Sequence, residues 1–124
     1  MKITVLGSGT SHGIPVITCQ CSVCTSANKK DNRLRSSILI EIEGKNIVVD
    51  TGPDFRQQML VNNICQLDAV LFTHEHNDHI AGLDDIRAFN YKQKKNMDIY
   101  CSKNVKKALQ REFHYVFSDF KYPG

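Results

Sequence analysis

Hydrophobic and polar positions alternate along the first part of the chain in the way that short β-strands require. Residues 2 to 6 alternate weakly and end at a Gly-Ser-Gly turn, which predicts a first strand. Residues 37 to 43 and 46 to 50 are rich in β-branched side chains and flank Gly44-Lys45, a pattern that predicts a β-hairpin. The apolar run over residues 67 to 72 predicts one more strand.

Helical patterns appear after Pro53. This proline predicts a helix over residues 54 to 62, because its missing N–H is not needed at a helix start. Apolar positions at helical spacing predict two further helices over residues 83 to 91 and 104 to 113, and a strand over residues 97 to 101 lies between them. Strands that alternate with helices indicate an α/β or mixed α+β layer.

Length and composition indicate one soluble domain. The chain has 124 residues, of which 41% are hydrophobic and 23% charged, and it has no disordered signature. The net charge of +3 is too small to suggest a polyanionic partner, so nucleic acid is not an expected ligand. No apolar run approaches the ~20 residues of a membrane span, and the first residues do not form a secretory signal. We therefore expect a cytoplasmic protein without a membrane partner.

A long segment over residues 10 to 35 lacks periodicity, which in a compact domain usually means a function or a structural staple. It contains Cys19, Cys21 and Cys24, whose C-x-C-x-x-C spacing suits a tetrahedral zinc ion. Disulfides are less favoured without a secretory signal, and a redox pair of Cys21 and Cys24 is the remaining alternative. The sequence thus predicts a structural zinc site whose fourth ligand comes from elsewhere.

The other two cysteines and two isolated histidines are expected to have ordinary roles. Cys65 and Cys101 are predicted to be small buried hydrophobic residues rather than the fourth zinc ligand. His12 lies in a glycine-containing loop and is either near the site or a turn residue. His114 follows a predicted helix and is expected to pack or to face solvent.

The strongest chemical signal is the segment Thr73-His74-Glu75-His76-Asn77-Asp78-His79, which directly follows a predicted strand. It brings three imidazoles and the Asp78 carboxylate into six consecutive positions. Zinc, manganese and iron accept such nitrogen and oxygen ligands, so the segment predicts a metal site. The alternative is a cluster of surface histidines with an acidic neighbour.

Spacing within this segment favours two metal ions over one. On an extended backbone, His74 and His76 project to the same side and can share an ion. Asp78 and His79 are adjacent, so the backbone has to turn between them, and a helix starting near Ile80 is expected to provide the turn toward a second ion. Two ions about 3.5–4 Å apart activate a hydrolytic water and stabilise phosphoryl or acyl oxyanions. Hydrolysis is therefore the leading reaction type.

These motifs resemble those of the metallo-β-lactamase superfamily. The histidine segment resembles its H-x-H-x-D-H signature, and Asp50-Thr51-Gly52 resembles its upstream aspartate motif. Residues 7 to 15, the cysteine triplet and residues 50 to 56 together resemble the branch that contains phosphoribosyl cyclic phosphodiesterase. The resemblance extends over residues 1 to about 120.

The resemblance implies an α+β fold, a metallo-β-lactamase-like αββα sandwich. Residues 1 to 124 are expected to form about the N-terminal half of one such domain, with the zinc loop inserted at about residues 10 to 35. The later ligands of the family are absent, so the chain is expected to be truncated and its site incomplete. Half of a sandwich also leaves one sheet face uncovered, so we expect a homo-oligomer that pairs through this face.

The resemblance also implies the cofactors and the site residues. Two divalent ions, Zn or Mn, are expected, the first on His74 and His76 and the second on Asp78 and His79; a structural Zn is expected on the cysteine triplet. The candidate catalytic residues are Asp78 and Asp50. Asp50 is expected to orient the metal ligands without binding the metal itself or, alternatively, to form a turn or helix cap.

The implied activity is that of a metal-dependent hydrolase, a cyclic phosphodiesterase or related enzyme acting on a small phosphodiester. A nuclease resembling the tRNA 3′-processing enzyme is one alternative. A non-catalytic module stapled by zinc is the other.

Overall fold

Five strands form one mixed sheet in the computed structural model, which describes residues 1–118. The strands follow each other in the sheet in the order β1-β2-β3-β4-β5. The first three strands pair antiparallel, whereas β4 runs parallel to both of its neighbours, β3 and β5. The predicted α+β class is confirmed. The bounds are β1 Lys2–Gly7, β2 Ser37–Ile42, β3 Lys45–Val49, β4 Ala69–Leu71 and β5 Asp98–Tyr100.

The predicted hairpin joins β2 to β3, but its turn lies one residue earlier than expected. Glu43 and Gly44 occupy the turn with φ angles of 50° and 75°, because a two-residue hairpin loop needs left-handed conformations that match the twist of the strands. Lys45, which was predicted to lie in the turn, instead pairs with Ile42 in the ladder.

The predicted helices are all present, and their bounds differ in detail. The structure contains α1 Phe55–Val61, α2 Asn77–Ile80, α3 Arg87–Gln93, α4 Lys103–Glu112 and α5 His114–Phe117. The segment predicted as one helix from residue 83 begins as a 3₁₀ helix, Leu83–Ile86, and continues into α3. α5 was not predicted, because four residues are too few for a periodic pattern. None of the helices within residues 1–118 is long and apolar enough to cross a membrane.

The helices cover one face of the sheet and form the core with it. The side chains of Leu39, Val48 and Val70, which are neighbours across β2, β3 and β4, are almost fully buried on that face. They belong to one hydrophobic cluster with residues of the helices, among them Phe55 of α1 and Leu109 of α4. Cys101 packs partly buried against this cluster, as expected, but Cys65 is exposed in the loop before β4, so its predicted burial is wrong.

The opposite face of the sheet is largely apolar, and most of its residues are exposed or half-buried in the part of the chain that the structure describes. At one edge, Ile3 and Val5 are 54% and 63% exposed, and at the other edge Tyr100 is 60% exposed. Cross-strand neighbours that are exposed or half-buried connect these edges across all five strands. We call this surface the open face; its residues are Ile3, Val5, Ile38, Ile40, Ile47, Val49, Leu71 and Tyr100.

We predict that the 124-residue chain self-associates through the open face, since apolar surface of this extent favours burial. Replacing Val5 with Lys brings a charge into the contact and should weaken association about tenfold or more, equivalent to at least ~1.4 kcal/mol. Leu60→Lys is the matched control, because Leu60 is 60% exposed on α1, outside the open face. Sedimentation velocity measures the result, and a monodisperse monomer at micromolar concentration contradicts the prediction.

Candidate metal centre

The histidine segment leaves the end of β4 and enters α2 within a few residues. His76 occupies the N-cap position of α2, and its carbonyl accepts hydrogen bonds from the backbone N–H groups of His79 and Ile80 at 2.9 and 3.1 Å. The helix therefore begins at Asn77, three residues before the predicted start near Ile80. Asp78 and His79 lie in its first turn, which provides the change of direction that the sequence required between them.

The three imidazole rings of the segment lie next to one another. The ring centroids of His74 and His76 are 4.8 Å apart, and those of His74 and His79 are 3.8 Å apart. His74 and His76 precede the helix, where the backbone is extended at His76, whereas His79 reaches the same region from α2. Extended chain followed by a helical turn thus brings together residues that a single regular element would separate.

His79 is contacted by a carboxylate at each of its two ring nitrogens. Its Nδ1 lies 2.7 Å from Oδ2 of Asp50, and its Nε2 lies 3.2 Å from Oδ2 of Asp78. In the neutral ring, Nδ1–H donates to Asp50, and Nε2 then presents a lone pair to a carboxylate oxygen that can also only accept. A proton or a metal ion between these two atoms would replace the repulsion of their lone pairs with an attraction.

The Asp78 and His79 pair fits a divalent metal ion. Two ligand atoms each about 2.0–2.2 Å from a tetrahedral ion lie roughly 3.4 Å apart, close to the observed separation of 3.2 Å. Among the described residues, the histidine segment does not bring three or more ligand atoms within 4.8 Å of one another, as the cysteine triplet does. Asp78 and His79 therefore present a pair of ligand atoms rather than part of a cluster of three.

Asp50 follows β3 and points its carboxylate at the histidine segment. Its oxygens accept hydrogen bonds from the backbone N–H of Thr73 at 2.9 Å and from the Thr73 hydroxyl at 2.7 Å, besides His79. The residue is buried and has a φ of 63°, a left-handed conformation that Asp adopts more readily than most residues. The carboxylate is therefore engaged with the segment rather than with a helix cap.

Two glycines let the loop after β3 lie directly against α2. A Cβ atom at Gly52 would overlap the carbonyl oxygen of Asp78, and one at Gly82 would overlap the carbonyl oxygen of Gly52. The backbone N–H of Thr51 also donates to the carbonyl of His79 at 2.8 Å. These contacts set the distance between Asp50 and the first turn of α2.

The three cysteines of the long loop come together, although the loop has no regular structure there. The sulfur atoms of Cys19, Cys21 and Cys24 all lie within 4.8 Å of one another, which fits a zinc ion with thiolate ligands. Hydrogen bonds lower the pKa of Cys21 from 9.0 to about 7. The largest effect comes from the backbone N–H of Cys24, and the second largest comes from the Cys19 thiol. The Val16 N–H lowers the pKa of Cys24, but burial and the neighbouring thiols outweigh it and raise that pKa overall.

The two isolated histidines lie apart from these contacts in the described residues. His12 is exposed in a turn of the long loop, and His114 is exposed at the start of α5. Two residues that the sequence interpretation left without a role, Thr73 and Gly52, instead make direct contacts within the site. The adjacent histidine was a local signal for the contact of Thr73 with His74, whereas the contacts of Thr73 with Asp50 and of Gly52 with α2 had none.

Comparisons with known proteins identify the family and the fold. The sequence profile of the Beta-lactamase superfamily domain matches residues 45–123. A protein of Porphyromonas gingivalis named octanoyltransferase is 46% identical over 100% of this chain, but the match covers only 25% of that protein. Three quarters of the relative therefore lie outside the match, and its name is not a guide to the matched part.

Two solved structures are similar in fold as well as in sequence. A new diphosphatase from the PhnP family superposes with a TM-score of 0.89 and 42% identity, over 93% of this chain and 46% of its own. Zinc-bound PqqB from Methylobacterium extorquens superposes with a TM-score of 0.75 and 26% identity, over 90% of this chain and 40% of its own. The chain spans less than half the length of these proteins.

We predict that Gly52→Ala disturbs the site and the fold together. The added methyl group has to push α2 away from the loop after β3, which should cost about 1–3 kcal/mol of stability and should shift the NMR signals of the His79 ring. Gly44→Ala is the control, because φ at Gly44 is 75° and a Cβ there meets nothing within 4 Å. It should cost about 1–2 kcal/mol through its backbone alone. Unchanged His79 signals in Gly52→Ala would refute the prediction.

Proposed function

The chain belongs to the β-lactamase superfamily, and from this membership we propose that it is the N-terminal part of a metal-dependent hydrolase that acts on phosphate esters. The observation that carries the proposal is His79, whose two ring nitrogens face the carboxylates of Asp50 and Asp78 at 2.7 and 3.2 Å. An imidazole oriented by one carboxylate and paired with a second is the arrangement of a metal ligand and its supporting group.

We assign two divalent ions, Zn or Mn, to the histidine segment. His74 and His76 would hold one ion, and Asp78 and His79 would hold the other. Such a pair of ions supplies an activated water and neutralises charge on phosphoryl oxygens. The likeness to zinc-bound PqqB supports divalent metal binding in this fold.

The residues of the chain prepare the site for these ions. Asp50 accepts a hydrogen bond from Nδ1–H of His79, which orients the ring and leaves Nε2 available as a ligand. The first turn of α2 fixes Asp78 beside that nitrogen, so the two ligand atoms need little rearrangement. Asp78 is a direct ligand and catalytic residue in this proposal, whereas Asp50 is a positioning residue.

The proposed substrate class is a small phosphodiester, cyclic or linear, which the motifs of residues 7 to 15 and 50 to 56 support. The likeness to a diphosphatase at 42% identity favours a second candidate, a diphosphate whose P–O–P bond is cleaved. Both substrates present non-bridging phosphoryl oxygens to the ions, and they differ in the leaving group. The net charge of +3 gives little support to the nuclease alternative.

The cysteine triplet is assigned a structural zinc ion. Cys19, Cys21 and Cys24 supply three sulfur ligands, and a tetrahedral zinc ion needs a fourth. Each proposed ion of the histidine segment also has only two ligands among the residues that the structure describes. We therefore propose that further polypeptide, either the remainder of a longer protein or a second copy, completes the coordination.

Metal counting and turnover test the proposal on the protein in its native length. Inductively coupled plasma mass spectrometry should find three metal ions per chain. Two should be lost when the histidines of the segment are replaced, and one zinc should be lost in Cys21→Ser. Hydrolysis of an aryl phosphodiester and of an aryl diphosphate with added Mn or Zn identifies the substrate class. Ions bound at the histidines without turnover of either substrate would contradict the hydrolase, whereas zinc at the cysteines alone would support a non-catalytic module.

We predict that Asp50→Asn lowers metal affinity or turnover by about 10–100-fold, because the ring of His79 loses its charged partner. Asn keeps the size of the side chain, so the loss measures the carboxylate rather than packing. Asp98→Asn is the matched control, since Asp98 is exposed on β5 and pairs with Lys95. Equal metal affinity and turnover in the two variants would show that Asp50 does not support the ligands.

A further inference from the structure

The hydroxyl of Thr73 connects Asp50 to His74. Its Oγ1 lies 2.7 Å from Oδ2 of Asp50 and 3.0 Å from Nδ1 of His74. An ionised carboxylate only accepts hydrogen bonds, so the hydroxyl donates its single hydrogen to Asp50. The hydroxyl oxygen is then left to accept, and Nδ1 of His74 has to be the nitrogen that carries the ring hydrogen.

We infer that Thr73 is a positioning residue that selects the Nδ1–H tautomer of His74 and so leaves Nε2 of that ring free to bind a metal ion. The inference rests on the proposed metal site. Asp50 then orients two histidines, His79 directly and His74 through Thr73, because Oδ2 of Asp50 contacts both the Thr73 hydroxyl and Nδ1 of His79. One carboxylate oxygen thereby fixes the tautomers of two rings, one directly and one through a hydroxyl.

The geometry around Thr73 explains why a threonine suits this position. Its backbone N–H donates to Oδ1 of Asp50 at 2.9 Å while its hydroxyl donates to Oδ2, so both carboxylate oxygens bind the same residue. A β-branched side chain has few χ1 rotamers, which helps to keep the hydroxyl between the carboxylate and the ring. Without the hydroxyl, Nδ1–H of His74 loses its acceptor, and the ring is free to populate both tautomers.

Imidazole ¹⁵N NMR on the metal-free chain tests the inference directly. The spectra are recorded at about pH 8.5, roughly two units above the ordinary histidine pKa, and the two tautomers of a neutral ring give distinct nitrogen shifts. His74 should carry its hydrogen on Nδ1 in the wild type and in Thr73→Ser, which keeps the hydroxyl. In Thr73→Val, which keeps the shape, it should become a mixture, while His79 stays unchanged as the internal control.

Zinc affinity gives the second measurement. Thr73→Val should bind zinc at the histidine segment about 10–100-fold more weakly, and Thr73→Ser should restore most of the affinity. Thr73→Ala serves as a second variant without the hydroxyl if Thr73→Val does not fold, and thermal unfolding checks each protein. A merely structural threonine would change the unfolding temperature without changing the His74 tautomer.

The outcomes separate this inference from the proposed function. An Nε2–H tautomer of His74 in the wild type, or an unchanged tautomer in both Thr73→Val and Thr73→Ala, overturns the inference. The expected tautomers in a protein that binds no metal at the histidines would support the hydrogen-bond chain and contradict the metal site instead.

Discussion

The buried carboxylate of Asp50 is the group on which the candidate site depends. It accepts hydrogen bonds from Thr73 and His79, residues that lie 23 and 29 positions later in the chain. A carboxylate removed from water is costly unless donors surround it, so the fold satisfies Asp50 only when the histidine segment is in place. The same hydrogen bonds that stabilise the buried charge therefore orient the rings.

The order of the strands creates the place where these groups meet. β3 and β4 are parallel neighbours, so the loops that follow them leave the sheet at the same edge. Asp50 begins one loop and donates its backbone N–H to the carbonyl of Leu71 at the end of β4. Gly52 then lies against the carbonyl of Asp78, which brings α2 close enough for His79 to reach the carboxylate. The protein scaffold thus orients these donor atoms through its own contacts.

The open face and the incomplete ligand sets of the proposed metal sites are both explained if further polypeptide packs against this chain. Helices cover one side of the sheet, while the open face has no covering element within residues 1–118. The chain spans 46% of the solved diphosphatase to which it is similar. In the proposed function, added polypeptide would both bury the open face and complete the coordination, so metal binding and folding of the second layer would be coupled.

The sequence by itself determined the types of element and the family, and it predicted the donor residues. Period-two and helical patterns identified the hairpin of β2 and β3 and the helices α1 and α4, because local periodicity reflects burial on one face. Family membership followed from the histidine and aspartate motifs and is confirmed. Tertiary structure alone decided the exposure of Cys65, the contact of Gly52 with Asp78 and the hydrogen bonds of Thr73. Each of these depends on distances between segments far apart in the chain, which no local pattern of residues encodes.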